Sequence, residues 1–220
     1  MLIKSYLNNL IRSLSKKNNH LNIILSGGSS PTQLYKHIAK QKFNWEKINF
    51  SLLDERLVKD KSKFLNYNNI NKIFKKNKKI NFISLIKFYK KNKIYSLIKD
   101  YSKNKCIVIA GFGDDGHFGS IYQKSKFYYK LISKKERKNI IKVDKNGKPF
   151  VERLTMNFSL IRSAKNIILV LNNKKKLNLF KSYIKEDCKN DTPINNLVKV
   201  ARKKILIYRN KQLIKLDKFI

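Results

Sequence analysis

The chain has 220 residues, and its 51 lysines and arginines outnumber 14 aspartates and glutamates, so its formal net charge is +37. A content of 42% hydrophobic and 11% aromatic residues is enough to build a core, which argues against global disorder. The sequence has no run of 18 apolar residues and no secretory signal, so we expect no membrane span and a cytosolic location. Cys106 and Cys188 fit neither a disulfide framework nor metal-ligand spacing, and we expect both to be thiols.

The charge has two interpretations. Clustered lysines and arginines neutralise phosphates, which suggests a protein that binds RNA or another polyanion. However, 44 of the 51 basic residues are lysine and only 7 are arginine, whereas groove reading favours arginine. Lysine, asparagine and isoleucine together supply 98 of the 220 residues, and AT-rich codons specify these types. We therefore favour compositional drift and expect no specific nucleic acid; a stripe of basic residues interleaved with exposed aromatics would favour the alternative.

Along the chain, short apolar runs alternate with segments of helical periodicity. In chain order, these patterns predict a helix over 2–14, a strand over 21–25, a glycine loop over 26–31, a helix that begins at Pro31, a strand over 48–53, a helix over 67–74, a short strand over 80–85, a helix over 94–101, a strand over 106–110, extended segments over 140–143 and 153–156, a strand over 166–171, a helix over 175–185 and a last strand over 204–208. Strands separated by helices indicate a mostly parallel sheet covered on both faces. No repeat or linker divides the chain, so we interpret residues 1–220 as one domain.

The first glycine loop contains Gly27-Gly28-Ser29-Ser30 between a strand and a helix. Backbone N–H groups and hydroxyls at the positive end of a helix suit a phosphate. A tight turn that needs glycine is the alternative.

The second glycine loop has the sequence GFGDDG and is followed by His117. It matches the dinucleotide-binding pattern, but its two adjacent carboxylates would face a pyrophosphate, which argues against NAD. His117 follows a buried strand, where open α/β sheets bind their ligands, and Asp114 and Asp115 beside it can orient and stabilise an imidazole base. His20 and His37 have no acidic neighbour within two residues, and we expect them at the surface.

Asp54-Glu55-Arg56 forms another charged cluster at the end of a predicted strand. It offers a cation for an anionic substrate next to two acids. A local ion pair at a loop is the alternative.

Taken in order, the motifs at residues 26–31, 54–56, 111–117 and 153–155 resemble those of the 6-phosphogluconolactonases, within the wider glucosamine-6-phosphate isomerase/6-phosphogluconolactonase family. The resemblance spans about residues 21–208. It implies an α/β fold of the Rossmann-like three-layer type, a mostly parallel sheet covered by helices on both faces. The implied activity is hydrolysis of 6-phospho-D-glucono-1,5-lactone, without cofactor or metal. The implied partner is thus a small sugar phosphate lactone, and the oligomeric state stays open.

The same resemblance implies roles for individual residues. His117 would activate a water and Asp115 would support it. The substrate and its phosphate would be held by Gly27, Gly28, Ser29, Ser30, Asp54, Arg56, Gly113, Arg153 and Lys176, with Lys175 as the alternative lysine.

Several positions depart from the family pattern. The segment after His117 reads Phe-Gly-Ser-Ile-Tyr-Gln where the family has Thr-Ala-Ser-Leu-Phe-Pro, and Leu65 and Asn173 replace a serine and a glycine. The rival within the family is glucosamine-6-phosphate deaminase, which typically has DEY where this chain has DER and an acid after its histidine. No carboxylate follows His117 before Glu136, so we favour the lactonase.

Overall fold

The computed structural model describes residues 4–16, 20–77, 79–103, 105–185 and 191–219. Its strands are β1 (Leu21–Leu25), β2 (Ile48–Leu52), β3 (Asp54–Arg56), β4 (Asn81–Phe82), β5 (Lys105–Ala110), β6 (Ile140–Asn146), β7 (Val151–Met156), β8 (Asn166–Val170), β9 (Ile205–Arg209) and β10 (Gln212–Lys215). Its helices are α1 (Lys4–Lys16), α2 (Thr32–Ala39), α3 (Asn66–Phe74), α4 (Leu85–Lys90), α5 (Ile94–Lys103), α6 (Tyr128–Ile132), α7 (Phe158–Ile161), α8 (Lys174–Ile184) and α9 (Pro193–Ala201). Within these ranges no helix is long and apolar enough to cross a membrane.

The main sheet has seven strands in the order β10-β9-β8-β5-β1-β2-β4, and all neighbouring strands are parallel except β9 and β10. Every residue of β1 is buried, as are the last five of β5. Because successive side chains of a strand point to opposite faces, this burial means that both faces of the sheet are covered. The predicted fold class, a mostly parallel sheet flanked by helices, is confirmed.

The chain changes direction across the sheet between β1 and β5. From β1 it proceeds to β2 and β4 on one side, and from β5 to β8 and β9 on the other. In open α/β sheets a crevice forms outside the carboxyl ends of the strands at such a point. The loops that follow β1 and β5 are the two glycine loops, so the topology brings both motifs to this crevice.

A second, three-stranded antiparallel sheet has the order β3-β7-β6. Leu53 joins it to the main sheet, because its N–H donates to the Leu25 carbonyl at 2.8 Å and its carbonyl accepts from the Met156 N–H at 3.1 Å. The predicted strand over 48–53 is therefore wrong in its last residue, whereas the segments predicted as extended, 140–143 and 153–156, lie in β6 and β7 of this second sheet. Only a four-residue connection separates β6 from β7, which is too short for the crossover that parallel strands need.

Further differences concern short or weakly patterned elements. The strand predicted over 80–85 is only Asn81–Phe82, and Leu85 instead begins α4, which Ser84 caps with its side chain. Helices α6, α7 and α9 and strand β10 were not predicted. Cys106 is a buried residue of β5, whereas Cys188 and the first two residues of the predicted 2–14 helix lie outside the described residues.

Asn157 joins β7 to α7 and to the segment before β6. Its side chain is fully buried; the oxygen accepts from the N–H groups of Asn139 at 3.0 Å and Leu160 at 3.1 Å, and the nitrogen donates to the Arg137 carbonyl at 2.7 Å. Substitution Asn157→Ala leaves three backbone groups without this partner, one of them the buried Leu160 N–H, so we expect it to lower the free energy of unfolding by roughly 2–4 kcal/mol.

Asn173→Ala is the matched control, because Asn173 caps α8 at an exposed position, where its side-chain oxygen accepts from the Lys176 N–H. Its loss should cost about 1 kcal/mol in urea unfolding. Equal losses for the two variants would contradict the role given to Asn157.

Candidate active site

A cleft of about 500 Å³ lies at the crevice outside β1 and β5. It is lined by all eleven residues that the sequence assigned to the site: Gly27, Gly28, Ser29, Ser30, Asp54, Arg56, Gly113, Asp115, His117, Arg153 and Lys176. Neither His20 nor His37 is among the lining residues. Five separate segments of the chain thus meet at one place.

His117 and Asp115 form a direct pair in this cleft. The His117 Nδ1 lies 2.5 Å from Asp115 Oδ1, and the His117 backbone N–H donates to the same oxygen at 3.2 Å. The hydrogen bond from His117 lowers the pKa of Asp115 to about 2. An ionised carboxylate on Nδ1 holds the proton there and leaves Nε2 as the acceptor nitrogen of the neutral ring.

Gly113 makes room for this pair. A Cβ atom built on Gly113 would overlap the His117 ring and press on the Asp115 carboxylate. The Gly113 N–H also donates to the His117 carbonyl at 2.8 Å, which closes the loop on itself. Although Gly113 lines the cleft as expected, its observed contacts are with His117 and Asp115.

Arg153 lies almost wholly buried at one wall of the cleft. Its Nε donates to the Asn146 carbonyl at 2.9 Å and its Nη2 to the Pro149 carbonyl at 3.0 Å, which fixes the guanidinium against the β6–β7 connection. Asp54 lies 3.9 Å from Nη1 and accepts from the Ser120 hydroxyl at 2.6 Å. Burial lowers the pKa of Arg153 from its ordinary value, and the nearby carboxylate of Asp54 opposes this effect.

Arg56 is held by the start of α3. Its Nη1 donates to the Asn66 carboxamide oxygen and to the Phe64 carbonyl, while its buried Nε has no hydrogen-bond partner among the described residues. Glu55, by contrast, points away from the reaction space: its carboxylate accepts from the N–H groups of Arg56, Asn66 and Tyr67 at 2.7–2.8 Å. Glu55 thereby fixes the first turn of α3 to β3.

Helix α8 places the two neighbouring lysines, Lys175 and Lys176, differently. Lys176 lines the cleft, and its ammonium donates to the Phe112 carbonyl at 2.8 Å and to Asp114 at 2.5 Å. The Lys175 side chain is 77% exposed and pairs with the other oxygen of Asp114. The hydrogen bonds from the two lysines, that of Lys176 above all, lower the pKa of Asp114 to about 2.

The two glycine loops are fastened to each other. The Ser26 N–H donates to the Ile109 carbonyl at 3.0 Å, and the Ser26 hydroxyl accepts from the Gly111 N–H at 3.2 Å. The buried hydroxyl of Tyr35 lies within hydrogen-bond distance of the Ser26 and Ile109 carbonyls, at 2.9 and 3.2 Å. Beyond this fastening, Gly28 adopts φ +87°, a conformation that favours glycine and turns the loop into α2.

The cleft is also lined by residues that the site assignment did not include, among them Asn66, Tyr122 and Lys148. Tyr122 stacks on His117 with ring centroids 4.4 Å apart and planes 23° apart, and its ring lies 6.0 Å from the Arg153 guanidinium carbon. Lys148 is one more lysine in a lysine-rich chain, and no sequence pattern marks it as a site residue.

The family is decided by a comparison with protein-family models. The model of the glucosamine-6-phosphate isomerases/6-phosphogluconolactonase matches residues 2–207. The chain belongs to this family. Among curated relatives of this family, the 6-phosphogluconolactonase of Thermotoga maritima is 27% identical over 192 residues, which cover 84% of this chain and 81% of the relative. The 6-phosphogluconolactonase of Xylella fastidiosa (strain Temecula1) is 24% identical, covering 92% and 87%.

Solved structures of family members have the same fold. A 6-phosphogluconolactonase from Shewanella baltica superposes with a TM-score of 0.77 at 19% identity, covering 94% of this chain and 89% of the other. The structure from Thermotoga maritima gives 0.70 at 24% identity, covering 94% of each chain.

One departure from the family pattern now has a physical account. Asn173, which stands where the family has a glycine, caps α8 because its side-chain oxygen accepts from the Lys176 N–H at 2.8 Å. The substitution therefore fixes the backbone of the residue that carries the cleft lysine.

The geometry of Glu55 predicts a stability effect. In Glu55→Gln, an amide NH₂ replaces one acceptor oxygen and faces buried N–H donors, so we expect a loss of about 1–3 kcal/mol in the free energy of unfolding. Glu46→Gln is the control, because Glu46 pairs with Lys79 at the surface, and it should change stability by at most ~1 kcal/mol. Matching urea midpoints for both variants would contradict the role of Glu55.

Proposed function

We propose that this chain hydrolyses 6-phospho-D-glucono-1,5-lactone to 6-phosphogluconate, the second step of the oxidative pentose phosphate pathway. The observation that carries the proposal is the His117–Asp115 pair in a cleft that Arg56, Arg153 and Lys176 also line. A base and several cations in one cleft suit an anionic substrate that is attacked by water. The names of the relatives described above agree with this reaction.

His117 acts first as a base. With Nδ1 held by Asp115, its Nε2 takes a proton from a water as the water oxygen bonds to the lactone carbonyl carbon. The carbonyl becomes an alkoxide, which re-forms the C=O bond as the bond to the ring oxygen breaks. The imidazolium returns its proton to that oxygen, so the products are a carboxylic acid, which ionises, and a hydroxyl group. General catalysis of this kind typically contributes ~10²–10⁴-fold.

The phosphate of the substrate needs several charge-assisted donors. We assign it to the loop Gly27, Gly28, Ser29 and Ser30 at the start of α2, together with Arg56, Arg153 and Lys176. The unpartnered Nε of Arg56 supports this assignment, as does the open space on the side of Gly28 where a Cβ would lie. Asp54 orients Arg153 and contributes to the same wall.

The cleft also separates the lactonase from its rival, the glucosamine-6-phosphate deaminase. The carboxylates that line the cleft are Asp54 and Asp115, while Glu136 lies at a different cavity. The position where the deaminase carries its acid is occupied by the stretch that contains Tyr122, whose ring covers His117. This arrangement favours ester hydrolysis over ring opening of an amino sugar.

The remaining expectations belong to the same proposal. The partner is a small sugar phosphate, the reaction needs neither metal nor cofactor because an imidazole supplies the base, and the protein works in the cytosol. No specific nucleic acid is expected, and residues 1–220 form one domain.

Removal of the base gives the direct test. We expect His117→Ala to lower kcat for the phosphorylated lactone by about 10²–10⁴-fold with little change in KM, because the binding cations remain. The measurement is a coupled assay of purified protein, corrected for spontaneous hydrolysis. His20→Ala is the control and should keep full activity. Undiminished hydrolysis by His117→Ala would sink the mechanism.

Removal of the charge beside the base gives a pH test. The pKa of Asp115 is about 2, so this carboxylate stays ionised through the working range and its own protonation does not shape the acid limb of kcat/KM. In Asp115→Asn we expect kcat/KM to fall about tenfold or more and the acid limb to move to lower pH, because the protonated imidazole loses a stabilising charge.

The control for this pH test is Asp114→Asn, which removes a neighbouring carboxylate that pairs with Lys175 and Lys176. Its acid limb should coincide with that of the wild type. If the acid limb of the pH profile moved equally in Asp115→Asn and Asp114→Asn, the effect would come from the loss of any nearby negative charge and not from the His117–Asp115 contact.

A further inference from the structure

A second cavity lies at the other end of the main sheet, near the amino-terminal ends of β8 and β9. Its volume is about 720 Å³, and it is formed by residues 134–138, 159–163 and 199–204. The second and third of these segments precede β8 and β9, whereas the active-site cleft lies beyond the carboxyl ends of the strands. Strands of five residues span roughly 15–20 Å, so the two sites are well separated. We call this second site the basic cavity.

The proportion of basic residues in the lining of the basic cavity is higher than the lysine-rich composition of the chain explains. Lysine and arginine make up 51 of 220 residues in the chain but eight of the thirteen that line the cavity. Arginine shows the contrast more strongly, because three of only seven arginines line it: Arg137, Arg162 and Arg202. Compositional drift toward lysine does not place arginines together, and arginine is the side chain suited to bidentate contact with phosphate.

The three segments of the basic cavity are tied together by polar contacts. The first segment is held to the second by the Ser159 hydroxyl, which donates to the Lys134 carbonyl at 3.4 Å, and by Asn157 just before the second segment, whose side chain donates to the Arg137 carbonyl at 2.7 Å. The Lys204 ammonium holds the third to the second, through the Arg162 carbonyl at 2.6 Å. The cations are therefore carried on a fixed frame.

Little negative charge balances these cations. Glu136 is the one carboxylate in the lining, and among the described residues the ion pair of this group is that of Arg202 with Asp217, at 2.7 Å. Burial and then the neighbouring cations, Arg162 first, lower the pKa of Lys204 from its ordinary value. An anion bound between these groups relieves their mutual repulsion.

We propose that the basic cavity binds a small anion that carries several phosphate groups, at a site separate from the active-site cleft. The size of the cavity suits a small molecule. Its lining contains no tyrosine, phenylalanine or tryptophan, so it lacks the stacking surface with which proteins hold single-stranded nucleic acid. The structure thus favours recognition of phosphate over recognition of bases.

Inorganic tripolyphosphate is the probe, and its binding is measured by calorimetry at about 0.15 M salt, where diffuse surface attraction is screened. We expect saturable binding that weakens about tenfold or more in Arg137→Gln/Arg162→Gln, because two charged donors are lost. Arg12→Gln/Arg209→Gln removes the same charge outside both cavities and should bind like the wild type.

Three other results of this binding experiment would contradict the proposal, and each supports a different explanation. Equal weakening in the two double variants, or no saturable binding, overturns the proposal in favour of a diffuse positive field. Loss of binding in Arg56→Gln alone overturns it in favour of the active-site cleft. A single-stranded oligonucleotide that binds through Arg137 and Arg162 where tripolyphosphate does not overturns it in favour of nucleic acid. Lys138→Gln/Lys199→Gln repeats the measurement if the first variant fails to fold.

Discussion

The active site depends on the fastening of two loops at the point where the chain reverses its course across the sheet. Ser26 bonds through its N–H to Ile109 near the end of β5 and through its hydroxyl to Gly111 just after it, and the Tyr35 hydroxyl lies at the same place. Because Tyr35 is fully buried, burial raises the pKa of its phenol and keeps it a hydrogen-bond donor. The first glycine loop and the loop that carries His117 therefore have a fixed separation, which sets the width of the cleft between them.

A second constraint acts through Leu53, where the chain leaves the main sheet for the small antiparallel one. This single residue bonds to both sheets. It therefore fixes β3 and β7, which carry Arg56 and Arg153, relative to β1 of the main sheet. Asp54 and Glu55, on either side of the chain at this point, then hold Arg153 and the start of α3. The small sheet thus holds the guanidinium groups of Arg56 and Arg153 in position.

In the folded chain the arginines are not distributed like the lysines. Five of the seven arginines line either the active-site cleft or the basic cavity, whereas lysines occur throughout. Where a cation must be buried and held by carbonyl oxygens, as at Arg153, the planar guanidinium with its several donors is the suitable group. At exposed positions, where water solvates the charge, lysine suffices, and the net charge carries little information about function.

The sequence by itself determined the main parallel sheet, because long apolar runs such as Leu21–Leu25 and residues 106–110 can only be buried between two layers of helices. The resemblance of its motifs to a family pattern also singled out eleven residues, and all of them line one cleft. The tertiary structure decided what depends on contacts distant along the chain. It formed the β3-β7-β6 sheet, turned Glu55 toward the backbone of α3, stacked Tyr122 on His117 and turned Lys176 inward while Lys175 stayed exposed. No local pattern marks such choices, because they depend on which segments meet after the sheet has formed.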